Sequence, residues 1–571
     1  MIIGAFEYSS LLAALASAPA DRPFVTMWNS EDDLEQVTFG QFRERVRAVA
    51  AHLEAQGLRA DDTVVLILPQ GIPLMTAFVA AMWLGAVPAI LAYPNTKVEP
   101  GKFRTGLAGV TANLKARQVI VDEEFPSELL GIIQLGQGAK LLRGLGGFRE
   151  HAGERDDDPP PVSPGRLAFL QHSAGTTGLQ KGVALSHAVV LRQIEHLSAE
   201  LAIGPEDRIY SWLPLYHDMG LIACFMLPMV CHVPVVMQSP TDWVIKPGAM
   251  LMLISEYRCT LAWVPNFTLQ FLARRVRPQE RTRYDLSSLR ALINCSEPVR
   301  AQSVDEMLDA FQTCGISTRS LQSSYAMAEN VFAVTQSKIN DERGPCRVWI
   351  DGKTLRNQHA AVVVDESAPG AVPLISSGQC LLGTEVRILS ESRAELPDGS
   401  IGEIVIRSDS LFDGYYNQPD LTAAVLRDGW YWSGDLGFRL GNELFVIGRK
   451  KDLIIVGGKN IYPQDIEEIV SSHPAIHDGR VVALGMLNPD LGTEDIVVVA
   501  EVTEARLLAD ALAIEQAVRN AIMGDLGVGM RSVYLKPPHW IVKSTAGKPA
   551  RSTTKQKLLA EHPELGQTST T

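Results

Sequence analysis

Ser173-Ala174-Gly175-Thr176-Thr177-Gly178-Leu179-Gln180-Lys181-Gly182 gathers three hydroxyls, three glycines and a lysine into ten residues. Glycines let a backbone bend sharply and bring its amide groups against an anion. Ser173, Thr176 and Thr177 add side-chain donors, and Lys181 adds a charge. A polyphosphate is the guest this chemistry suits. Lys181 is followed by Gly182 and the glycine spacing departs from G-x-x-x-x-G-K-[ST], which disfavours a Walker-type ATPase. On its own, a Gly/Thr turn is more often an ordinary loop.

The elements that must hold this loop are legible as periodicity. Residues 166–171 form an apolar run that predicts a strand, and a helix-like stretch starts at Ser186, so the loop reads as a strand–turn–helix junction. Elsewhere, apolar runs such as 64–69 alternate with helical patterns at 42–53 and 77–84, the alternation of an α/β protein whose sheets are packed with helices. Residues 156–165 are a Pro/Asp-rich loop leading into the first strand. A second unit is expected near Gly448, where Arg449-Lys450-Lys451-Asp452 separates two strand-like segments.

The chain has 571 residues, 46% hydrophobic and 20% charged, enough for a large domain and a smaller one. A formal net charge of −13 argues against nucleic acid as a main partner. Seven cysteines without C-x-x-C spacing read as reduced thiols, and no zinc site is suggested. The N-terminus carries Glu7 where an export signal would carry basic residues, so a cytoplasmic protein is expected. The apolar stretches 73–94 and 221–238 are interrupted by glycine, proline or histidine. They are read as buried segments rather than transmembrane ones.

Six further blocks follow in order: Ser211 to Gly220 (with Tyr216-His217-Asp218), Asn294-Cys-Ser-Glu-Pro298, Ser324-Tyr-Ala-Met-Ala-Glu329, Tyr431-Trp-Ser-Gly-Asp435, Gly448 to Asp452, and Lys543-Ser-Thr-Ala-Gly-Lys548. Together with the loop they resemble the adenylate-forming superfamily of acyl-CoA synthetases, adenylation domains and luciferases, over nearly the whole chain. Residues 213–220, 297–300 and 457–465 look most like the fatty acyl-AMP ligases, which load fatty acids as acyl adenylates onto acyl carrier proteins.

The resemblance implies an N-terminal ATP- and acyl-binding domain over 1–448, a hinge at 449–452 and a C-terminal lid over 453–571 with a frayed tail. It implies ATP as substrate with Mg²⁺. Glu329 would hold the metal against the phosphates, where a cation screens the approach of two anions. Lys548 would bridge the carboxylate and α-phosphate oxygens in the transition state. Thr176 and Thr177 belong to the catalytic set, and Ser173, Gly175, Gly178 and Lys181 to the phosphate cradle. Asp435 would accept from both ribose hydroxyls, with Arg449 as a neighbouring donor. Ser296-Glu297-Pro298 on one side and Tyr325 on the other would enclose adenine, followed by Ala326, Met327 and Ala328. Lys451 falls at the hinge. His217 would orient the acyl carboxylate, a buried hydrogen-bonded histidine being an equal alternative, and residues 263–267 would lie near the acyl pocket.

The stretch from Glu329 to Gly383 is longer than in CoA synthetases. Its extra part, about 343–373, carries strand-like residues 360–364 and turn-like residues 367–370, and resembles the insertion that marks fatty acyl-AMP ligases. The expected partners are therefore a fatty acid and an acyl carrier protein, or a carrier domain of a polyketide or nonribosomal peptide synthase. Departures exist: the phosphate loop looks more like that of CoA synthetases, Ser323 stands where many relatives have asparagine, and Ala326 replaces glycine. A CoA synthetase and a non-catalytic acyl or nucleotide sensor remain the alternatives. The arginines at 274, 275, 277, 281 and 283 are either a landing site for an acidic carrier or a solvated helix end.

Overall fold

The computed structural model describes residues 7–30, 33–94, 100–145, 159, 161–172, 181–339, 341–456, 459–488, 493–543 and 548–565. The protein is α/β. Among the described residues, a seven-stranded sheet has a parallel core of Thr63–Ile67, Val87–Ile90, Gln118–Val121 and Leu167–His172. These strands are apolar along nearly their whole length because helices cover both faces. Ile72–Trp83 is buried almost all round, as its unbroken apolar sequence requires. Phe39–Ala55 starts at a capping box in which Thr38 and Gln41 satisfy each other's amides.

A nine-stranded sheet carries Leu261–Val264, Ala291–Asn294 and Leu321–Ala326 side by side and parallel. A third sheet is antiparallel and built on Trp430–Leu440, flanked by Gly402–Ser408 and Glu443–Arg449. The last part of the chain packs its own apolar clusters, from Ile454 to Leu565, around the three strands Ile476–Asn488, Thr493–Val502 and Ser532–Lys536. The apolar stretches at 73–94 and 221–238 are short buried helices and strands, and among the described residues no helix is long and apolar enough to cross a membrane.

Two local expectations change. The phosphate loop does not run straight into a helix. Gly182–Ser186 is a fully buried strand folded back antiparallel onto Leu167–His172, and the helix His187–Glu200 starts only after it. Five consecutive residues that bury their side chains on both faces of a sheet read as apolar with no period, which hides them from a periodicity argument. In the 343–373 insertion the paired strands are Arg347–Asp351 and Ala371–Ile375, joined through the helix Gly352–Gln358. Residues 360–364 make only single bridges, Ile350 with Val363 and Ala360 with Ser400, and Val362 and Val363 are exposed.

One buried ion pair ties together the N-terminal ends of the strands that carry the site. Asp207 accepts from Arg290 Nε and Nη2, both at 2.8 Å, and from Thr260 Oγ1 at 2.6 Å and the Gly204 amide at 2.9 Å. Burial opposes its ionisation, but these four donors outweigh burial and hold the carboxyl below the usual carboxylate range. A depressed folded-state value stabilises above the unfolded value and is lost as pH falls through the folded one. The contribution should therefore be full above about pH 5 and fall away progressively as pH drops through and below the usual carboxylate range. Asp207→Ala should cost about 3 kcal/mol at neutral pH, since it strands a largely buried guanidinium. The check is the urea midpoint at pH 7 and again at pH 3.5, where the difference from the parent chain should shrink.

Candidate active site

The parallel strands of the nine-stranded sheet end on one side at a cavity of about 1260 Å³. Ligands in open α/β sheets sit beyond the carboxyl ends of the strands, where the connecting loops diverge. The loop after Ala291–Asn294 turns sharply at Ser296, whose backbone is left-handed (φ 69°). Asn266 fixes this turn from below. Its Oδ1 accepts from Asn294 Nδ2 at 2.8 Å and from the Arg300 amide at 3.1 Å, and its Nδ2 donates to Ser303 at 2.9 Å. Glu297 accepts from the Phe267 amide at 3.1 Å. The strained turn leaves the Ser296 carbonyl pointing into the cavity, where Lys548 Nζ donates to it.

The strand Leu321–Ala326 delivers Tyr325 to the same cavity. Its phenol donates to Asp435 Oδ2 at 2.6 Å, while Arg449 Nε stands 3.2 Å from Oδ1. Asp435 and Arg449 face each other across the register of two adjacent strands, which sets their separation. Burial and the adjacent Asp435 carboxylate push the Tyr325 phenol well above its ordinary range, so it remains a donor at any working pH. Each Asp435 oxygen therefore has one protein donor and keeps lone-pair capacity for two ribose hydroxyls.

After Tyr325 the chain passes through Ala326, Met327 and Ala328 along the cavity wall into a short 3₁₀ turn that presents Glu329. Glu329 Oε1 accepts from Tyr415 Oη at 2.7 Å. Tyr415 is in turn hydrogen-bonded by Tyr431, and Phe412 packs edge-on against both rings. The Lys181 ammonium lies 4.5 Å above the Tyr415 ring. A cation of the phosphate loop and the acid placed for a metal thus share one phenol, the cation on its ring and the carboxylate on its hydroxyl.

His217 lies against Asp218, with Nδ1 at 2.5 Å from Oδ1. Asp218 also accepts from the Met219 amide at 2.8 Å and caps the wide π-helix Met219–Met226. Burial raises the Asp218 carboxyl, but His217, the Met219 amide and the approach of Lys548 outweigh it and leave it below its usual range. His217 is thus hydrogen-bonded to Asp218 and also lines the cavity.

One cavity therefore brings together Lys181, His217, Ser296, Glu297, Pro298, Tyr325, Ala326, Met327, Ala328, Glu329, Asp435, Arg449, Lys451 and Lys548. Ser173, Gly175, Thr176, Thr177 and Gly178 lie outside the described residues, as does most of the loop before Lys548. Lys451 stands in the 3₁₀ turn Lys450–Asp452, its ammonium lowered by burial and then by Arg449. Trp263 and Val264 belong to the core, whereas Asn266 and Phe267 reach the cavity. Ser323 faces away, its hydroxyl given to the Ser376 carbonyl at 2.6 Å. The arginine cluster is largely occupied: Arg274 pairs with Glu306 and Asp478, Arg277 with Glu280, and Arg281 donates to the carbonyls of Ala273, Val276 and Ala310. That is the solvated helix end of the two readings.

A family model described as AMP-binding enzyme matches residues 12–416, more than half of the chain. The chain belongs to the AMP-binding enzymes. Among relatives, a Caulobacter vibrioides protein provisionally named an acyl-CoA synthetase is 27% identical, covering 97% of this chain and 96% of its own. The medium-chain-fatty-acid–[acyl-carrier-protein] ligase JamA of Moorena producens is 28% identical, covering 97% and 95%. Among solved structures, one from work on the fatty acyl-adenylate ligases of E. coli and L. pneumophila superposes with a TM-score of 0.89, at 27% identity and 98% coverage of both chains. The protein is an ATP-dependent acid ligase that forms an acyl-adenylate.

Tyr415, Tyr431 and Asp218 are the side chains to which sequence reading gave no role, and Asn266, expected only near the acyl pocket, proves to fix the Ser296 turn. The block Phe412-Asp-Gly-Tyr415 sits in a two-residue strand paired to Gly182–Ser186, so its proximity to Glu329 is set by topology and not by spacing. Tyr415→Phe keeps the ring under Lys181 and deletes the donor to Glu329, together with the acceptor for Tyr431. A hydrogen bond to a charged group is worth about 1.5–3 kcal/mol, so the Mg²⁺ concentration for half-maximal ATP–pyrophosphate exchange should rise roughly tenfold. Lys548→Ala should slow that exchange by about 10²- to 10³-fold, the usual loss for one preorganised donor to a developing charge. ATP affinity, measured by calorimetry, should stay within a few-fold.

Proposed function

We propose that this ligase activates a medium- or long-chain fatty acid and passes the acyl group to the phosphopantetheine thiol of an acyl carrier protein. The observation that carries the reading is the likeness, across nearly the full length, to a fatty-acid–[acyl-carrier-protein] ligase. It is supported by a strand–helix–strand insertion where fatty acyl-AMP ligases carry theirs.

In the first step a carboxylate oxygen of the acid attacks the α-phosphorus of ATP, the bond to the β-phosphate oxygen breaks, and pyrophosphate leaves with both electrons. In the second, the acceptor sulfur attacks the acyl carbonyl, AMP leaves, and the thiol proton goes to solvent. Asp435, held by Tyr325 and Arg449, fixes the ribose. The turn at Ser296–Pro298 and the Tyr325 ring confine the base. Lys548, poised on the Ser296 carbonyl, reaches charge developing between carboxylate and α-phosphate, and His217, steadied by Asp218, orients the incoming carboxylate. Among the described residues no group of three potential metal-ligating side chains occurs, so a dedicated protein cage is not built there. A single carboxylate facing a phosphate site does fit Mg²⁺, which takes one or two protein oxygens and completes its shell with phosphates and water. Glu329, aligned by Tyr415, would hold it. When bound, the ion supplies charge screening between the two anions.

The test is product analysis by mass spectrometry with ATP, Mg²⁺ and mixed C8 to C18 acids, offering CoA and a phosphopantetheinylated carrier protein together. Acyl-AMP and acyl-carrier with little acyl-CoA is the expected outcome. Abundant acyl-CoA would transfer the chain to the CoA synthetases, and absence of acyl-AMP would sink the reading altogether.

A further inference from the structure

On the strand Trp430–Leu440 two tryptophans, Trp430 and Trp432, project from the same face, and each is stacked by two arginines. Arg387 and Arg407 lie 4.6 and 4.8 Å from the Trp430 ring centre, and Arg393 and Arg427 lie 5.6 and 5.8 Å from that of Trp432. The two stacks look alike and differ in charge balance. On the outer stack Glu385 accepts from Arg387 at 2.8 Å and also from Arg407, and Glu395 lies a further 3.7 Å from Arg387. On the inner stack neither Arg393 nor Arg427 has a carboxylate within ion-pair distance among the described residues.

The inner stack is also the one at the site. Trp432, Arg393 and Arg427 line the active-site cavity, while Trp430, Arg387 and Arg407 do not. Of the acids on the same wall, Glu403 is taken by Lys450 at 3.1 Å, and Glu391 is exposed. Trp432 lies three residues before Asp435, the carboxylate placed for the ribose, so this stack stands beside the nucleotide and not on a remote surface. A guanidinium held over an indole by its charge keeps N–H groups free to donate elsewhere, the presentation suited to a phosphate oxygen.

Resting on the acyl-transfer function proposed above, the geometry points to Arg393 and Arg427 on Trp432 as the seat for the phosphate of the incoming phosphopantetheine arm. The ligand chemistry is a phosphate ester carried on a pantetheine thiol, which both a holo-carrier protein and free CoA possess. The adenylating half-reaction has no use for this seat. The acyl-adenylate's own phosphate is accounted for by Lys548 and the phosphate loop, and an arm that must place its sulfur on the acyl carbonyl needs an anchor at the cavity mouth. The outer stack, neutralised by Glu385, serves as a built-in control.

The experiment uses the full chain with a fatty acid, ATP and Mg²⁺, and compares four thiol acceptors: pantetheine, 4′-phosphopantetheine, CoA and a holo-carrier protein. Acyl-AMP formation is followed in parallel by mass spectrometry. The parent chain should use 4′-phosphopantetheine about tenfold better than pantetheine in kcat/KM, with the advantage eroding as salt rises. In the double variant Arg393→Gln/Arg427→Gln that advantage should fall to within about twofold, while Arg407→Gln keeps it. Loss for the carrier alone or for CoA alone, among the natural acceptors, identifies the source the seat serves, and both results support it. A parent chain that treats pantetheine and 4′-phosphopantetheine alike, or a double variant that still prefers the phosphate, overturns the seat. A chain that forms acyl-AMP but shows either of those results refutes this inference and leaves adenylation standing, whereas no acyl-AMP with any acid refutes the function on which it rests.

Discussion

The carboxylate of Asp435 is the joint on which the site depends. It belongs to the antiparallel sheet built on Trp430–Leu440, yet its Oδ2 is held by Tyr325 from the end of the nine-stranded sheet, at 2.6 Å. Arg449, the last residue of the neighbouring strand, occupies the other oxygen. A buried carboxylate is tolerated only when its lone pairs are answered, and here the answers come from two different layers of the molecule. The positions of the two sheets are thereby referenced to one atom group. Because burial and the adjacent carboxylate force the phenol to remain neutral, it goes on donating where an ordinary tyrosine would ionise.

The rest of the cavity repeats the same device with different partners. Glu329 is aimed by a phenol that belongs to a distant short strand, Gly414–Tyr415, itself paired to the strand that closes the phosphate hairpin. His217 is aimed by Asp218, and Asp218 is fixed by the first amide of a π-helix. Each of these side chains is thus held by a second group whose own place is set by the backbone. Such two-tier support is what keeps a site within a fraction of an ångström of working geometry. Lys181, Arg449, Lys451 and Lys548 reach one space in a chain of net charge −13, and several acids on the same wall are held by cations of their own, as Glu403 is by Lys450.

How much of this was legible depended on whether chemistry or topology fixed the residue. Glu329, Asp435, Lys548, Tyr325 and His217 sit in short blocks that only the resemblance to the adenylate-forming enzymes singles out, and those blocks do meet in one cavity. The α/β layering followed from apolar runs alternating with helical periods. What stayed hidden was whatever required knowing which strand lies beside which. Gly182–Ser186 read as the approach to a helix because a strand buried on both faces has no alternation to show. Tyr415 is 86 residues from Glu329, and no spacing rule connects them. In the insertion, residues 360–364 carried the strand-like composition, but the pairing partner of Arg347–Asp351 is Ala371–Ile375. Composition proposes strands, and the hydrogen-bonding edge that is available decides between them.

The contrast between the two arginine–tryptophan stacks extends this argument to the second half of the reaction. Cross-strand stacks of this kind are an ordinary way to finish an exposed sheet face, and the outer one, closed by Glu385, needs no other purpose. Leaving the inner pair without an acid costs mutual repulsion between guanidiniums that nearby glutamates would relieve, as Glu385 and Glu395 do one row away. A fold that solves the problem at Trp430 and leaves it open at Trp432, beside the cavity, is keeping those donors for an anion that comes and goes. Of the anions the reaction requires, a polyphosphate would find Lys181 and Lys548 on the cavity wall. The anion still without protein donors is the one on the acceptor arm.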